Sequence, residues 1–337
     1  MKLTKWKDNP ILKPNADSDW EKMSVLNPAA WAEDGKVSLL YRASSESIDY
    51  VIYVGLAESR DGFHFERVGK EPVLSPSKDG FDAGCIEDPR VVKIDGTFYM
   101  AYAARAHPPH AHWAGRKRAS LPSPSRTWAE NITRSGIASS KDLRHWTRLG
   151  PCTADDLDNR DVMLFPEKIN GRYVLIHRAI DDQGKYPQYK NPAIWLAFSE
   201  DMKNWGDDFM LAKAEVDWEK KRIGGGAPPI RTDAGWLMIY HAVGNFRDKE
   251  RAYRAGVMLL DLEDPRRIVA RPPDFILEPE ESFELKGAVD NVVFPCGNVI
   301  LGDELFVYYG AADKVCCVAT VKVKPFMEWI LKYRTRS

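Results

Sequence analysis

Apolar and polar positions alternate along most of this chain in short runs, and the runs come in pairs around a turn glycine. Lining up those glycines exposes a repeat. Five stretches carry it: NPAAWAEDGKVSLLYRA around Gly35, EDPRVVKIDGTFYMAYAA around Gly96, FPEKINGRYVLIHRA around Gly171, PPIRTDAGWLMIYHAV around Gly235 and FPCGNVILGDELFVYYGAAD around Gly302. Each has a proline lead-in, a strand, an Asp-Gly or Asn-Gly type turn, and a second strand of aliphatic, β-branched and aromatic residues. That is a hairpin signature. A weaker echo follows the first three copies: GLAESRDGFHF from Gly55, GIASSKDLRHW from Gly136 and WLAFSEDMKNW from Trp195. GVMLLDLEDPRRI from Gly256 is a degenerate fourth, and CCVATVKV near Cys316 supplies only its first strand.

Each unit thus offers about four strands, and the turn glycines recur every sixty to seventy-five residues or so. Five such units predict an all-β chain folded as a five-bladed β-propeller. A β-sandwich of ordinary hairpins is the rival, but hairpins alone need not repeat a proline lead-in. Residues 1–24 are expected to form an N-terminal arm, 107–131 an inserted basic loop and 325–337 a short C-terminal helix, all within one domain spanning 1–337.

In a propeller the inner strands meet at a central channel, so equivalent repeat positions converge. Asn27 and Asp88 share the position before proline, where Phe165 and Phe294 are apolar. Proline disfavours the α region for its predecessor, so Asp88 is expected to be extended at a strand entrance. Tyr41, Tyr102, His177, His241 and Tyr308 share the end of the second strand. A polar set at converging positions points to a site, with Asp88 at its centre; the rival is an Asp that only caps a turn.

Composition narrows the field. Eleven Trp, thirteen Tyr and thirteen Phe suit packed blades and sugar-stacking surfaces alike. With 48 basic and 49 acidic residues the chain is not a general nucleic-acid binder. Cys85, Cys152, Cys296, Cys316 and Cys317 show no CxxC spacing and are odd in number. They read as reduced, buried thiols of a cytoplasmic protein. No signal-like or membrane-length apolar run is present. His107, His110 and His112 lack a partner at ligand spacing, so no metal is expected, and a substrate lid or a homo-oligomer contact is the better reading of their loop. RIGGGAPPI lacks a Gly-Lys-Ser/Thr close and reads as close backbone approach beside the channel rather than a phosphate loop.

Taken together, EDPRVVKIDGTFY, LFPEKINGRYV, RIGGGAPPIRTDAGWLMIYHAV, LLDLEDP, NVVFPCG and YYGAAD resemble glycoside hydrolase family 130, the β-mannoside phosphorylases and related β-mannosidases. The resemblance runs from about Asn27 to Ala319. It implies a five-bladed propeller and makes Asp88 the general acid, its proton relayed through a hydroxyl of the bound mannose. A phosphorylase needs no base, since phosphate is already an anionic nucleophile; it needs cations. The phosphate-binding candidates are Arg134, Arg160, Arg222 and His241, with Arg suited by its planar fork. Matching motifs make Asn27, Arg42, Ser59, Arg60, Tyr240 and Asp313 sugar contacts. The expected activity is inverting phosphorolysis of a β-mannoside to α-mannose 1-phosphate, with inorganic phosphate as co-substrate and no cofactor. The alternatives are an inverting β-mannosidase, with Glu219 or Asp161 near the segments where a base would lie, and a non-catalytic carbohydrate-binding propeller. Two departures from the family pattern stand out: the length of 107–131, and VDNVVFP, which places Asp290 near a site-forming strand.

Overall fold

The computed structural model describes residues 1–115, 125–246 and 251–335. After the two-residue β1 (Thr4–Lys5), the chain runs through five antiparallel meanders. The first is β2 (Ser24–Glu33), β3 (Lys36–Ser44), β4 (Ile52–Ser59) and β5 (Glu66–Arg67). The second is β6 (Cys85–Ile94), β7 (Thr97–Arg105), β8 (Arg134–Ser140) and β9 (Thr147–Pro151). The third is β10 (Asp158–Leu164), β11 (Tyr173–Ile180), β12 (Ile194–Ser199) and β13 (Gly206–Ala212), and the fourth β14 (Arg222–Thr232), β15 (Gly235–Asn245), β16 (Arg251–Leu260) and β17 (Ile268–Ala270). The fifth, β18 (Val293–Leu301), β19 (Glu304–Ala311) and β20 (Val315–Lys322), takes β1 as its fourth strand. The first two meanders are joined by one parallel pair, Ile52 with Cys85.

The expected hairpins are present. Asp34–Gly35, Asp95–Gly96 and Asn170–Gly171 all have positive φ at both residues, the twist that a two-residue hairpin turn requires. The first strands touch in a cycle, β2 with β6, β6 with β10, β10 with β14, β14 with β18, and β18 with β2. Five apolar cores fill the spaces between consecutive meanders, and one of them, around Leu39, Val299 and Phe306, lies between the fifth and the first.

A polar device repeats inside the meanders. Tyr41, Tyr102, Tyr240 and Tyr309 on the second strands donate to buried carboxylates that precede the first strands: Glu21 at 2.8 Å, Asp82 at 3.1 Å, Glu219 at 2.7 Å and Glu284 at 2.8 Å. Each carboxylate also holds a cation on or just after the fourth strand: Arg67, Arg148, Arg271 and Lys5, respectively. The third meander substitutes His177, whose Nε2 lies 2.9 Å from Asp208. Tyr41 and Tyr240 lie over Gly55 and Gly256, where an added Cβ would strike the ring, and at Gly136 it would strike Phe81 and press on Tyr102. That accounts for the glycine opening those echo segments.

The 1–24 arm supplies a strand to the last sheet. The C-terminal helix spans Val323–Ile330 and continues as a 3-10 turn to Tyr333; residues 336–337 lie outside the described residues. The 107–131 segment holds two short helices, α1 (Pro109–Trp113) and α2 (Arg126–Ala129), and its residues 116–124 lie outside the described residues. No helix among the described residues is long and apolar enough to cross a membrane.

Candidate active site

A cavity of about 240 Å³ lies at the β3, β6, β10 and β14 ends of the sheets, lined by Asn27, Arg42, Glu87, Asp88, Arg160 and Asp161 together with Arg178, Arg222, His241 and Asp313. Side chains reach it through one local feature of the first strands. Between Leu26 and Ala29, Glu87 and Arg90, and Arg160 and Met163, two residues face one on the second strand. Each of these bulges carries a left-handed residue: Asn27 at φ 48°, Asp88 at φ 51° and Asp161 at φ 56°. Bulges re-aim side chains, and Asn and Asp tolerate the left-handed region best among residues with a Cβ.

Asp88 is therefore not extended, although proline follows it. Its counterpart in the third meander is Asp161, opposite His177, rather than Phe165. The strand-end residues also divide by face. Tyr41, Tyr102, His177 and Tyr240 pair with carboxylates away from the cavity, whereas Arg42, Arg178 and His241, one residue further on, face it. A one-residue step in a strand exchanges faces. Tyr308, whose hydroxyl donates to the Gly62 carbonyl at 2.9 Å, likewise does not line the cavity.

Asp88 accepts from Asn27 Nδ2 at 2.7 Å and Arg42 Nη1 at 3.1 Å, both through Oδ1. Its Oδ2 has no bond among the described residues. Arg42 also reaches Glu87 at 3.2 Å. Burial pulls the Glu87 carboxyl up, but Arg42, Arg105 and Arg160 outweigh it and hold it at about 2. Asn27 Oδ1 and Arg42 Nε are buried without a partner among the described residues. Buried orphans of this kind at a cavity wall are groups that a ligand satisfies. The Asn27 amide fits only because residue 310 is Gly, where a Cβ would lie 1.9 Å from its Oδ1.

The cations sort by pairing. Arg178 is tied to Asp161, and Arg160 forms a two-point pair with Asp158 at 2.9 and 3.0 Å. Burial favours a neutral Asp161, yet Arg178, His241 and Arg90 more than offset it, so this carboxyl stays far below the usual range. Arg222 donates to the Tyr253 hydroxyl at 3.0 Å and has no carboxylate at ion-pair distance among the described residues. Burial, with Arg178 and Arg160 nearby, depresses its pKa despite Tyr253 and Asp161. A guanidinium in that position favours a bound anion.

His241 departs from the expected cationic role. Burial, reinforced by Arg178, Arg90 and Arg222 against Asp161, lowers its pKa to about 4. Its Nδ1 lies 3.0 Å from the Gly225 carbonyl and so carries the proton, which leaves Nε2 an acceptor at neutral pH. The imidazole has this space because residue 224 is Gly, where a Cβ would meet both Asp161 and His241. That is the close approach expected of RIGGGAPPI. Asp313, at φ 52°, is pushed up to about 6 by burial, with Asp88 and Glu87 adding to the rise and Arg42 opposing it.

The remaining expected site residues lie elsewhere. Ser59 pairs with Val37 at the far end of β4, five residues from the Val54 that faces Arg42, a span of roughly 17 Å. Its hydroxyl accepts from the amides of Asp61 and Gly62, a turn repeated at Ser140 and Ser199. Arg60 lines an outer groove with it. Tyr240 is held by Glu219, which is buried under Arg271 and does not face the cavity. Arg134 donates to the Thr153 carbonyl at 2.8 Å outside the cavity lining, and Asp290 pairs with Lys286 at 2.6 Å. Sequence reading passed over Glu87 and Arg178. Arg178 had a signal, since HRA in the third copy stands where YRA places Arg42.

Carboxylates and guanidinium groups around a small polar cavity, with Arg222 lacking a carboxylate partner among the described residues, in an all-β scaffold of repeated meanders, define a class of protein that handles a polar ligand together with an anion. The chain belongs to glycoside hydrolase family 130, whose profile, described as beta-1,4-mannooligosaccharide phosphorylase, matches residues 4–121 and 126–332. It is 40% identical over 330 residues to a 1,2-beta-oligomannan phosphorylase of Thermoanaerobacter sp. (strain X514), covering 96% of this chain and 98% of that one. Among solved structures it resembles the beta-1,2-mannobiose phosphorylase of Listeria innocua in complex with beta-1,2-mannobiose, at TM-score 0.80 and 26% identity, covering 98% and 99% of the two chains. It also resembles a member of the GH130 family described as containing glycoside hydrolases that target beta-1,2 mannosidic linkages in Candida mannan, at TM-score 0.76 and 26% identity over 96% and 94%.

Proposed function

We propose that this protein is an inverting phosphorylase of β-mannosides, acting on β-1,2-linked oligomannosides and inorganic phosphate. The observation that carries the reading is the cavity itself, where Asp88 shares one small space with Arg160, Arg178 and Arg222, the last without a carboxylate partner among the described residues. The linkage rests on the names of the relatives. Asn27 and Arg42 hold Oδ1 of Asp88, so Oδ2 presents the proton, passed to the glycosidic oxygen through a mannose hydroxyl. The bond from C1 to that oxygen breaks, and its electron pair leaves with the protonated acceptor. A phosphate oxygen held by Arg222 and its neighbours forms the new bond to C1 from the opposite face, giving α-mannose 1-phosphate. Asp313 joins Asn27 and Arg42 as a contact for mannosyl hydroxyls.

The finer architecture belongs to this reading. The cyclic contact of the first strands, and the closure of the fifth sheet by β1, support a five-bladed β-propeller that forms one catalytic domain. Five buried, free cysteines suit a reducing cytoplasm.

Hydrolysis is the second reading, favoured by the hydrolases among the structural relatives. It needs a base that activates water. Glu87 and Asp161 are held ionised by arginines, which leaves Asp313, at about 6, as the carboxyl suited to that task.

The test is product release from β-1,2-, β-1,3- and β-1,4-mannobiose with and without phosphate, with the anomer read by NMR. α-Mannose 1-phosphate from the β-1,2 substrate, formed only when phosphate is present, is expected; free mannose in both conditions selects hydrolysis. Asp88→Asn should lower kcat by about a hundredfold or more with the fold intact. Wild-type turnover in that variant would remove Asp88 from the mechanism.

A further inference from the structure

The loops that follow β3 and β7 both leave the sheet at the cavity end, since Arg42 and Arg105 near those strand ends both reach Glu87. Tyr50 lies on the first loop; His110 and Trp113 lie on α1, directly after the second. Their rings form a stepped ladder. Tyr50 and His110 stack with centroids 4.8 Å apart and planes 21° apart, and His110 meets Trp113 at 5.5 Å and 37°. At the inner end Tyr50 lies within electrostatic reach of Arg42, which bonds Asp88. At the outer end Trp113 is 73% exposed.

Trp113 thus presents its indole to water at the outer end of a ring ladder whose inner member lies beside the cavity residue Arg42. The cavity, at about 240 Å³, is smaller than pockets that enclose drug-sized ligands, roughly 300–1,000 Å³. It can enclose little more than one sugar unit and an anion. The rest of an oligomannoside therefore lies outside, against the rim. The C–H face of a sugar ring is apolar and complements the negative face of an aromatic ring, as CH edges do in aromatic pairs.

We propose that Tyr50, His110 and Trp113 form an aromatic shelf that receives the acceptor-side sugars beyond the cavity and sets a preference for longer chains. This rests on the β-mannoside reading above and deepens it. Trp113, at the exposed end of the ladder, contributes through KM rather than kcat.

The test compares kcat/KM on β-1,2-mannotetraose and β-1,2-mannobiose for the wild type, Trp113→Ala and Trp113→Phe. The tetraose-to-biose ratio is expected to fall about three- to tenfold in Trp113→Ala, mostly through KM for the tetraose, with Trp113→Phe recovering most of it. A ratio equal to that of the wild type overturns the shelf. If mannose is released without phosphate, the phosphorylase reading fails while the same ratio, read from hydrolysis, still decides the shelf. If no mannoside turns over, calorimetric Kd values for the two oligosaccharides decide it by the same ratio, and equal ratios in wild type and Trp113→Ala again overturn it.

Discussion

Asp313 and His241 line one cavity but respond to burial with opposite consequences for stability. His241 falls from its ordinary 6.5 to about 4, so its contribution is complete above pH 6.5 and is lost as pH falls through 4. Asp313 rises from 3.8 to about 6, so its contribution is complete below pH 3.8 and is lost as pH rises through 6. Between pH 4 and 6 the two slopes nearly cancel. Asp313→Asn removes one of them, and the urea midpoint of that variant should climb from pH 4 to 6.5 more steeply than that of the wild type. Parallel curves would mean that Asp313 is not shifted as described. At this scale much of the site was legible: Asn27, Arg42, Asp88, Arg160, Arg222, His241 and Asp313 all reach the cavity. Ser59, Arg60, Tyr240 and Arg134 do not, because a motif match carries residue type without saying which face of a strand the side chain takes.

At the scale of the element, the bulge and the buried tyrosine explain most of what alternation alone misassigned. Proline after Asn27 and Asp88 suggested extended backbone, yet the strand inserts an extra residue there and twists it to positive φ. The preference of X-Pro for extended backbone yields to the ladder on both sides, which fixes the register. The tyrosines at the strand ends looked like a converging functional set. Their partners Glu21, Asp82 and Glu219 stand 20, 20 and 21 residues before Tyr41, Tyr102 and Tyr240, and Glu284 stands 25 before Tyr309, a near-constant spacing that strand alternation alone does not interpret. Tyr240→Phe removes a hydrogen bond to a buried carboxylate and should cost about 1–3 kcal/mol by chemical denaturation, with KM for the mannoside close to wild type. A large rise in KM without loss of stability would return Tyr240 to the sugar site.

For the whole molecule, the fifth sheet takes its fourth strand from a segment that the sequence presented as an arm. β1 pairs Thr4 with Thr320 and Lys5 with Ala319, and Lys5 reaches Glu284, a fully buried carboxylate, at 2.6 Å. Removing the cation leaves that charge to the Tyr309 hydroxyl and the amides of Glu280 and Glu281. Lys5→Ala should cost about 3 kcal/mol or more, seen as a lower denaturation midpoint. An unchanged midpoint would show that the N-terminal strand does not hold the last sheet. The amino-acid sequence by itself determined the number of repeats, the hairpins and their turns, since alternation, proline and Asp-Gly pairs act within a few residues. It also determined the family, because EDPR and the other motifs are local strings. Only the tertiary structure decided which residues share the cavity, that burial lowers the His241 pKa while Arg222 has no carboxylate at ion-pair distance among the described residues, and that residues 4–5 complete the fifth sheet. Those outcomes depend on register, burial and charges brought together from all five meanders, and no stretch of sequence contains them.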